Sequence, residues 1–169
     1  MRFPATKLST AGLVLAALVL ATPAEAAVCG ARDTGDAVLC EVNGVRADNG
    51  LRQVKTDRRL RRAATRYARD MVARRYFAHV SPEGATLSER LRAVGYVDDA
   101  VRWHVGETLA WGRGPRSAPA SIIAAWMRSP PHRRILLGRF LDIGVGVADG
   151  DPFGGSGTTC VADFGLLGL

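Results

Sequence analysis

A repeated apolar spacing between residues 58 and 75 is the feature that most restricts how this chain can fold. Apolar side chains recur there at intervals of three and four positions, and eight arginines occupy most of the remaining positions. The apolar set is Leu60, Ala63, Ala64, Tyr67, Ala68, Met71 and Val72. This spacing predicts an amphipathic helix with one buried face and one basic face. Such a helix needs an apolar surface to pack against, so the rest of the chain must supply a sheet or further helices.

The last third of the chain changes from helical to strand periodicity. Between residues 143 and 148, branched apolar residues alternate with glycine or alanine, and a second strand-like run covers about 158–164. A loop rich in Asp, Gly and Pro separates the two runs, which together predict a β-hairpin. Helices followed by a hairpin predict the α+β class, with an antiparallel sheet covered by helices.

Two shorter helices are predicted from their end signals. Asp36 is a candidate N-cap for a first helix that ends near Gly50. Residues 86–89 form the capping-box pattern Thr-Leu-Ser-Glu, which predicts a short helix that ends at Gly95.

A strand and a final helix follow. Residues 101–111 are predicted to form a strand and 112–115 the loop after it. The last helix is predicted to begin at Ser117 and to be ended by Pro130-Pro131, because proline interrupts a helix interior. His132 would then follow the break directly.

The N-terminal residues predict export. Basic Arg2 and Lys7, an apolar run over 11–21 and the small-residue pattern Ala24-Glu25-Ala26 are typical of a cleavable signal peptide, residues 1–26. The apolar run is about half the roughly 20 residues that span a membrane. A disordered lead (27–36) and a single domain (37–169) are predicted for the remainder, secreted or held at the cell envelope. A lipid anchor on Cys29 is disfavoured because bulky Val28 precedes it.

The chain is basic, with a net charge of +7. The arginines of residues 58–75 could attract an anionic lipid or envelope polymer or nucleic acid. Such a run more often forms a solvated helix face, and no specific nucleic-acid binding is expected.

Three cysteines follow the predicted cleavage site. An exported protein meets an oxidising compartment, so a disulfide is expected, and an odd count leaves one thiol over. Cys29 and Cys40 are the expected pair, since they flank a short segment rich in Asp and Gly. Cys160 lies in a strand-like run and is expected to be a buried free thiol rather than a nucleophile.

Glu107 is the first candidate for a functional-site residue. It lies between Val105 and Leu109 on one face of the predicted strand, and a carboxylate buried there needs a histidine, an arginine or a metal as partner. Strand alternation places His104 on the opposite face, so His104 is excluded from the site.

Two histidines at helix ends are the other candidates. His79 follows the second helix and precedes Ser81-Pro82, although a histidine there can also simply complement the helix dipole. His132 follows two prolines that fix the backbone. Two imidazoles and a carboxylate suit a divalent metal or proton transfer. Ser129 is either a helix-end hydroxyl or a hydrogen-bond partner at the same cleft. The common hydrolase signatures are absent from the sequence.

Several short segments, taken in order, carry a family resemblance. They are Asn43-x-x-Arg46, His79 with Ser81-Pro82, Gly106-Glu107, Trp126 to His132, Ile143 to Gly146 and Asp163-Phe164-Gly165. Together they resemble the secreted CAP family, which includes cysteine-rich secretory proteins, antigen 5 and pathogenesis-related 1 proteins. The resemblance covers roughly residues 40–165 and implies an α-β-α sandwich with a central cavity.

The resemblance also implies a set of cavity residues. Many family members line the cavity with two histidines and two glutamates, and His79, Glu107 and His132 match three of those positions. Ser129 stands where the second glutamate is expected, and Thr108 replaces the asparagine common after the first. Family members have been associated with zinc, with sterol or fatty-acid binding and with protease activity, so the fold is better determined than the function.

The leading hypothesis is a secreted, monomeric binding module. Its cavity would hold zinc or another divalent cation between His79 and His132, with Glu107 as a ligand, as a residue that orients a histidine, or as a proton acceptor. One alternative is a metal-assisted hydrolase in which Glu107 is the catalytic base. Another is a sterol or fatty-acid binding protein, which would need an elongated apolar groove. The physiological small ligand or lipid is not specified by the sequence.

Overall fold

A computed structural model describes Cys29, residues 34–98 and residues 100–168. Over that part, the elements in chain order are α1 (Thr34–Asp48), β1 (Lys55–Thr56), α2 (Arg58–Arg74), α3 (Leu87–Arg92), β2 (Arg102–Gly112), a 3-10 turn (Gly114–Ser117), α4 (Pro119–Arg128), α5 (Pro130–Leu136), β3 (Asp142–Asp149) and β4 (Thr158–Gly168). The predicted signal peptide and most of the predicted lead lie outside the described residues. None of the described helices has both the length and the apolar character needed to span a membrane.

The strands form one sheet in the order β1-β3-β4-β2. The β3–β4 hairpin and the β2–β4 pair are antiparallel, as predicted. β1 is a two-residue strand that pairs in parallel with β3, and it was too short to leave a pattern in the sequence. β2, which carries Glu107, is therefore an edge strand.

Helices cover both faces of this sheet. One face packs against α1, α4 and α5, around Val42, Trp126 and Phe164. The other packs against α2 and α3, around Met71, Leu91 and others. The predicted α+β class and the α-β-α sandwich are therefore confirmed, and successive residues of β2 face different helical layers.

Helix α2 has the predicted orientation. Asp57 caps its start by accepting hydrogen bonds from the backbone N–H groups of Arg59 (2.7 Å) and Leu60 (3.3 Å). Tyr67 and Met71 are buried, while most of the arginines are exposed. The apolar spacing thus correctly identified the face of α2 that packs on the sheet.

Two glycines of β3 allow α2 to lie unusually close to the sheet. A Cβ atom on Gly144 would come within 2.0 Å of the Leu60 carbonyl carbon, and one on Gly146 within 2.2 Å of the Ala64 carbonyl carbon. The glycine alternation in residues 143–146 is thus a packing requirement, because helix backbone occupies the space of the missing side chains.

The helix before Pro130-Pro131 ends at Arg128, so the predicted stop is confirmed. The same prolines also start a new helix, α5, in whose first turn they lie, and this second helix was not predicted from the sequence. Proline is tolerated there because the first N–H groups of a helix have no intrahelical partner. His132 is therefore a residue of α5. The preceding helix begins at Pro119 and not at Ser117, which belongs to the 3-10 turn.

The predicted start of the first helix was also wrong. α1 begins at Thr34, within the segment predicted as a lead, so Asp36 lies in the first turn instead of capping it. The Asp36 carboxylate pairs with Arg61 of α2. An acidic residue in the first turn also complements the helix dipole. An acidic residue near the start of a helix therefore does not by itself distinguish a first-turn position from the N-cap.

The cysteines pair as predicted. Cys29 and Cys40 form a disulfide with their Cα atoms 5.7 Å apart. Cys160 is a free, buried thiol, and burial raises its pKa to about 12. A thiol held in its protonated form is a poor nucleophile, so Cys160 is part of the core.

Arg46 and Asn43 of α1 hold two connecting segments in place. The buried Arg46 guanidinium donates to the carbonyl oxygens of Arg52 (2.9 Å), Leu136 (2.6 Å), Gly138 (2.9 Å) and Phe140 (3.2 Å). The Asn43 amide exchanges two hydrogen bonds with the backbone of Val54, at 3.1 and 2.9 Å. The Asn-x-x-Arg segment of the family resemblance is therefore structural in this chain.

Candidate functional site

Glu107 of β2 is the centre of the candidate site. Its side chain is 3% exposed. Its Oε1 accepts a hydrogen bond from Nδ1 of His79 at 2.7 Å, and its Oε2 pairs with Nη2 of Arg90. The expectation that this buried carboxylate has a histidine, arginine or metal partner is confirmed, since it has two of those three partners.

Arg90 is brought to Glu107 by helix α3. The predicted capping box is present, with Thr86 and Glu89 bonded reciprocally. It starts α3 so that the Arg90 guanidinium lies over the Tyr67 ring, 3.5 Å from its centroid. Nη1 of Arg90 also donates to the carbonyl oxygens of His79 (3.0 Å) and Ala85 (3.1 Å). Arg90 was not identified from the sequence, where it is one of many arginines.

His79 lies on the loop after α2, with its side chain 56% exposed. The Tyr67 hydroxyl donates to the neighbouring Ala78 carbonyl at 2.8 Å and thereby fixes this loop against the helix. Because the Glu107 carboxylate can only accept, Nδ1 of His79 is the donor. The proton on Nδ1 leaves the lone pair of Nε2 available to a ligand in the neutral ring.

His132 lies on α5, in the other helical layer, and is half-buried. Burial lowers the pKa of His132, and electrostatic repulsion from the His79 imidazole contributes to the lowering. The two imidazoles are thus within electrostatic reach of each other. Since their layers lie on different faces of the sheet, they can approach only around the edge strand β2.

Ser129 and His104 are the remaining sequence candidates. Ser129 joins α4 to α5, its carbonyl accepts from the N–H of Arg133 at 2.8 Å, and its side chain makes no capping bond. It lies at a helix end, three positions before His132, and its place in the cleft stays a prediction. His104 stacks on Phe140, with ring centroids 5.0 Å apart, on the face of β2 opposite Glu107. That placement agrees with the alternation expected of the strand.

Asp163 is a second residue of the site that the sequence analysis did not identify. It lies on β4 directly opposite Glu107 in the strand register and is 0% exposed. Burial raises its pKa well above the usual range, and the negative charge of Glu107 adds to the rise. The signal was visible, since Asp163 interrupts an apolar strand as Glu107 does, but it was considered only as part of the family resemblance.

The donor groups available to a metal are limited. Over the described residues, no group of three or more His, Cys, Asp or Glu side chains is arranged to hold a metal ion. Both Glu107 oxygens are already engaged by protein donors. The groups that remain are the two imidazoles, which can bind a borderline cation or accept and release protons.

A cleft of about 360 Å³ lies beside the cluster, between α2 and α3. It shares Tyr67 and Arg90 with the cluster, but neither histidine lines it. Its other lining residues are Ala63, Arg66, Asp70, Arg74, Ser81, Glu83, Ala85, Ala93 and Val94. The cleft is therefore mixed in polarity rather than an elongated apolar groove.

Comparison with known sequences gives a consistent result. A model of the CAP, or cysteine-rich secretory protein, family matches residues 39–164. Two proteins of Bacillus subtilis (strain 168) are similar: the uncharacterized protein YkwD, 30% identical over 108 residues, and the uncharacterized membrane protein YlbC, 32% identical over 111 residues. The matches cover 63% and 65% of this chain but only 39% and 30% of those proteins.

Two solved structures resemble the fold. An outer surface protein from Borrelia burgdorferi matches with a TM-score of 0.65 and 21% identity, over 78% of this chain and 90% of that one. An extracellular protein containing a SCP domain from Bacillus anthracis str. Ames matches with a TM-score of 0.63 and 26% identity, over 75% of this chain and 38% of that one. The first shows likeness of fold alone.

Proposed function

This chain belongs to the CAP (cysteine-rich secretory protein) family, and from that premise we propose that it is an exported binding module that holds a divalent cation such as Zn²⁺ between His79 and His132. Export is supported by the signal-like N-terminus and by the extracellular or outer-surface description of the two structural relatives. The Cys29–Cys40 disulfide agrees with an oxidising compartment.

The contact between His79 and Glu107 carries this proposal. A carboxylate that accepts the Nδ1 proton of a histidine fixes the tautomer and orientation of the ring, and metal-binding histidines are commonly held in this way. Glu107 therefore acts as the orienting group among the three roles considered for it. Arg90 compensates the buried carboxylate charge and keeps Glu107 from turning toward the cation.

The donor set fits weak, reversible binding. Two imidazoles suit Zn²⁺ and similar cations, and the lowered pKa of His132 keeps that ring neutral at pH 7. Catalytic zinc sites use three protein ligands, and this cluster supplies two. A bound cation would polarise an oxygen atom of its ligand, and His79 and His132 would hold it at the mouth of the site.

The rival functions have less support. Glu107 as a catalytic base would have to release Arg90 or His79 and reach water from a buried position. A sterol or fatty-acid site would need an apolar groove, whereas the cleft beside Arg90 is lined by several charged groups. Reversible cation binding requires neither change.

Isothermal titration with Zn²⁺ tests the site. The wild-type protein should bind one equivalent, while His79→Ala and His132→Ala should lose measurable binding because each removes one of two ligands. His104→Ala is the matched control, since that ring lies on the opposite face of β2 and should be dispensable. Glu107→Gln should weaken binding about tenfold by releasing the tautomer of His79. Wild-type affinity in either single-site variant, or loss in His104→Ala, would contradict the proposal.

Binding should also depend on pH. Protons compete with the cation for the same ring nitrogens, so the apparent affinity should fall as the pH drops below about 6.5, the ordinary histidine value. His132 should be protonated only at lower pH, because its pKa is lowered. Titration of the wild-type protein with Zn²⁺ at pH 7.5, 6.5 and 5.5 would measure this, and a pH-independent affinity would rule out histidine ligands.

A further inference from the structure

We propose that Asp163 is a positioning residue whose carboxyl group retains its proton and donates it in a hydrogen bond to Glu107, holding that carboxylate against His79. Asp163 is fully buried and lies directly opposite Glu107 on the neighbouring strand. Side chains at such directly opposite positions of an antiparallel pair are close enough to interact.

No described group donates a hydrogen bond to Asp163. Both of its carboxyl oxygens are buried without a hydrogen-bond partner. Its neighbour on the third strand is Gly144, which has no side chain and lies against the backbone of α2. An ionised carboxylate in that position would have lost its water and gained no donor, which is a strongly unfavourable arrangement.

The donors around the cluster do not serve Asp163. Nη2 of Arg90 and Nδ1 of His79 donate to Glu107, and Nη1 of Arg90 donates to two backbone carbonyls. Nε of Arg90 is buried and makes no hydrogen bond to either Asp163 oxygen. The hydroxyl of Tyr67, whose ring lies under the Arg90 guanidinium, donates to the Ala78 carbonyl. Charge balance also favours a proton on Asp163, since the single guanidinium of Arg90 compensates only one ionised carboxylate.

A proton on Asp163 satisfies both carboxyl groups. Each Glu107 oxygen has two lone-pair directions, so Glu107 can accept a further bond while keeping those from Arg90 and His79. Burial and the charge of Glu107 raise the pKa of Asp163, and the opposing positive charge of Arg90 is a smaller effect. Two adjacent carboxyl groups that share one proton are a known solution to this problem.

The shared proton makes the orienting group rigid. With three donors around it, the Glu107 carboxylate has one favourable orientation, and the tautomer of His79 follows from that orientation. The second carboxyl group of the site therefore comes from β4 rather than from the position of Ser129. The consequence for cation affinity rests on the proposed function, whereas the protonation of Asp163 does not.

Infrared spectroscopy of the metal-free protein tests the protonation directly. Wild type at pH 7 should show the carbonyl stretch of a protonated carboxylic acid, and Asp163→Asn should lose it. Asparagine keeps the shape and has an amide donor for Glu107, so this variant should fold. The absence of a protonated-acid band in wild type, or a band that persists in Asp163→Asn, would overturn the proposal.

The pH dependence of stability gives a second readout. A carboxyl group with a raised pKa binds more protons in the folded state, so its contribution to stability is full below about pH 3.9 and is lost as the pH rises toward the folded pKa. The denaturant midpoint of wild type should therefore fall relative to that of Asp163→Asn between pH 4 and pH 8. A constant difference between the two midpoints would contradict a retained proton.

Zn²⁺ titration separates positioning from simple packing. Asp163→Asn should bind as wild type does, because its amide can still donate to Glu107, while Asp163→Leu should bind about tenfold more weakly. Equal affinity of the two variants would reject the positioning role. If Asp163→Leu does not fold, the infrared and midpoint comparisons of Asp163→Asn still decide the question. If wild type binds no Zn²⁺, the proposed function fails while those comparisons remain valid.

Discussion

Arg46→Met should lower the free energy of unfolding by about 4 kcal/mol, one of the two largest effects expected in this protein. The substitution keeps an unbranched side chain of similar length but removes every donor, leaving four backbone carbonyls without their partner. Each buried polar group left unpaired costs about 1–3 kcal/mol. Part of that cost is offset because the variant no longer has to remove a charged guanidinium from water. The same desolvation lowers the pKa of Arg46 in the wild-type protein.

Urea unfolding at pH 7 measures this effect against two controls. Arg62→Gln changes an exposed arginine of α2 and should alter stability by no more than about 0.5 kcal/mol. Arg46→Lys retains the charge, but an ammonium group cannot reach four carbonyls with the geometry of a guanidinium, so it should recover only part of the loss. A loss in Arg46→Met no larger than in Arg62→Gln would show that the four hydrogen bonds contribute little.

Gly146→Val is the second large effect expected, with a loss of about 3 kcal/mol or more and reduced soluble yield. The new side chain would need the space occupied by the α2 backbone at Ala64 and Thr65, whose nearest atom lies 2.2 Å from the point where the Cβ atom would be. Overpacking against side chains commonly costs about 1–3 kcal/mol, and a helix backbone cannot rotate away as a side chain can. A shift of α2 would also move Tyr67 and the Arg90 guanidinium that lies over it.

Gly44→Ala is the matched control for that change. Gly44 lies in α1, and a Cβ atom there would meet nothing within 4 Å. Alanine is the better helix former, so this variant should be as stable as wild type or more stable by up to about 1 kcal/mol. Thermal unfolding of both variants provides the comparison. Wild-type stability of Gly146→Val would mean that α2 does not lie as closely on β3 as the structure indicates.

Elements with a strong local signal were predictable from the sequence. The apolar spacing of residues 60–72 identified α2 and its buried face, and the alternation over 143–148 identified the first strand of the hairpin. The capping box at Thr86 and Glu89 predicted the start of α3 correctly, because the two residues that define the sequence pattern also make the hydrogen bonds of the motif.

The errors arose where one residue type serves two purposes. Proline both ends a helix and can begin the next one, and at Pro130 only the first of these uses was considered in the sequence analysis. β1 was not predicted for another reason, since its two residues are held by pairing with β3, which is distant in the chain. Its formation is a property of the tertiary structure.

The candidate site was predictable only in part for the same reason. Glu107 and the two histidines are unusual residues in their local setting, so each could be singled out from its neighbours. Arg90 and Asp163 acquire their roles from β2 and from its pairing with β4, which the hairpin pattern alone did not include. A rule that treats every acidic residue inside an apolar strand as a site candidate would have found Asp163.

The position of Cys160 makes the outcome of disulfide formation depend on the relative rates of thiol oxidation and sheet assembly. Cys160 lies on β4 between Ala110 of β2 and Val147 of β3, so its thiol is withdrawn from exchange only after both neighbours have paired with that strand. Before then, all three cysteine thiols of a chain exported as proposed would be open to oxidation. The separation of 11 residues between Cys29 and Cys40 favours their encounter, because short loops close fastest. Conditions that slow sheet assembly but not oxidation should therefore accumulate chains trapped through Cys160.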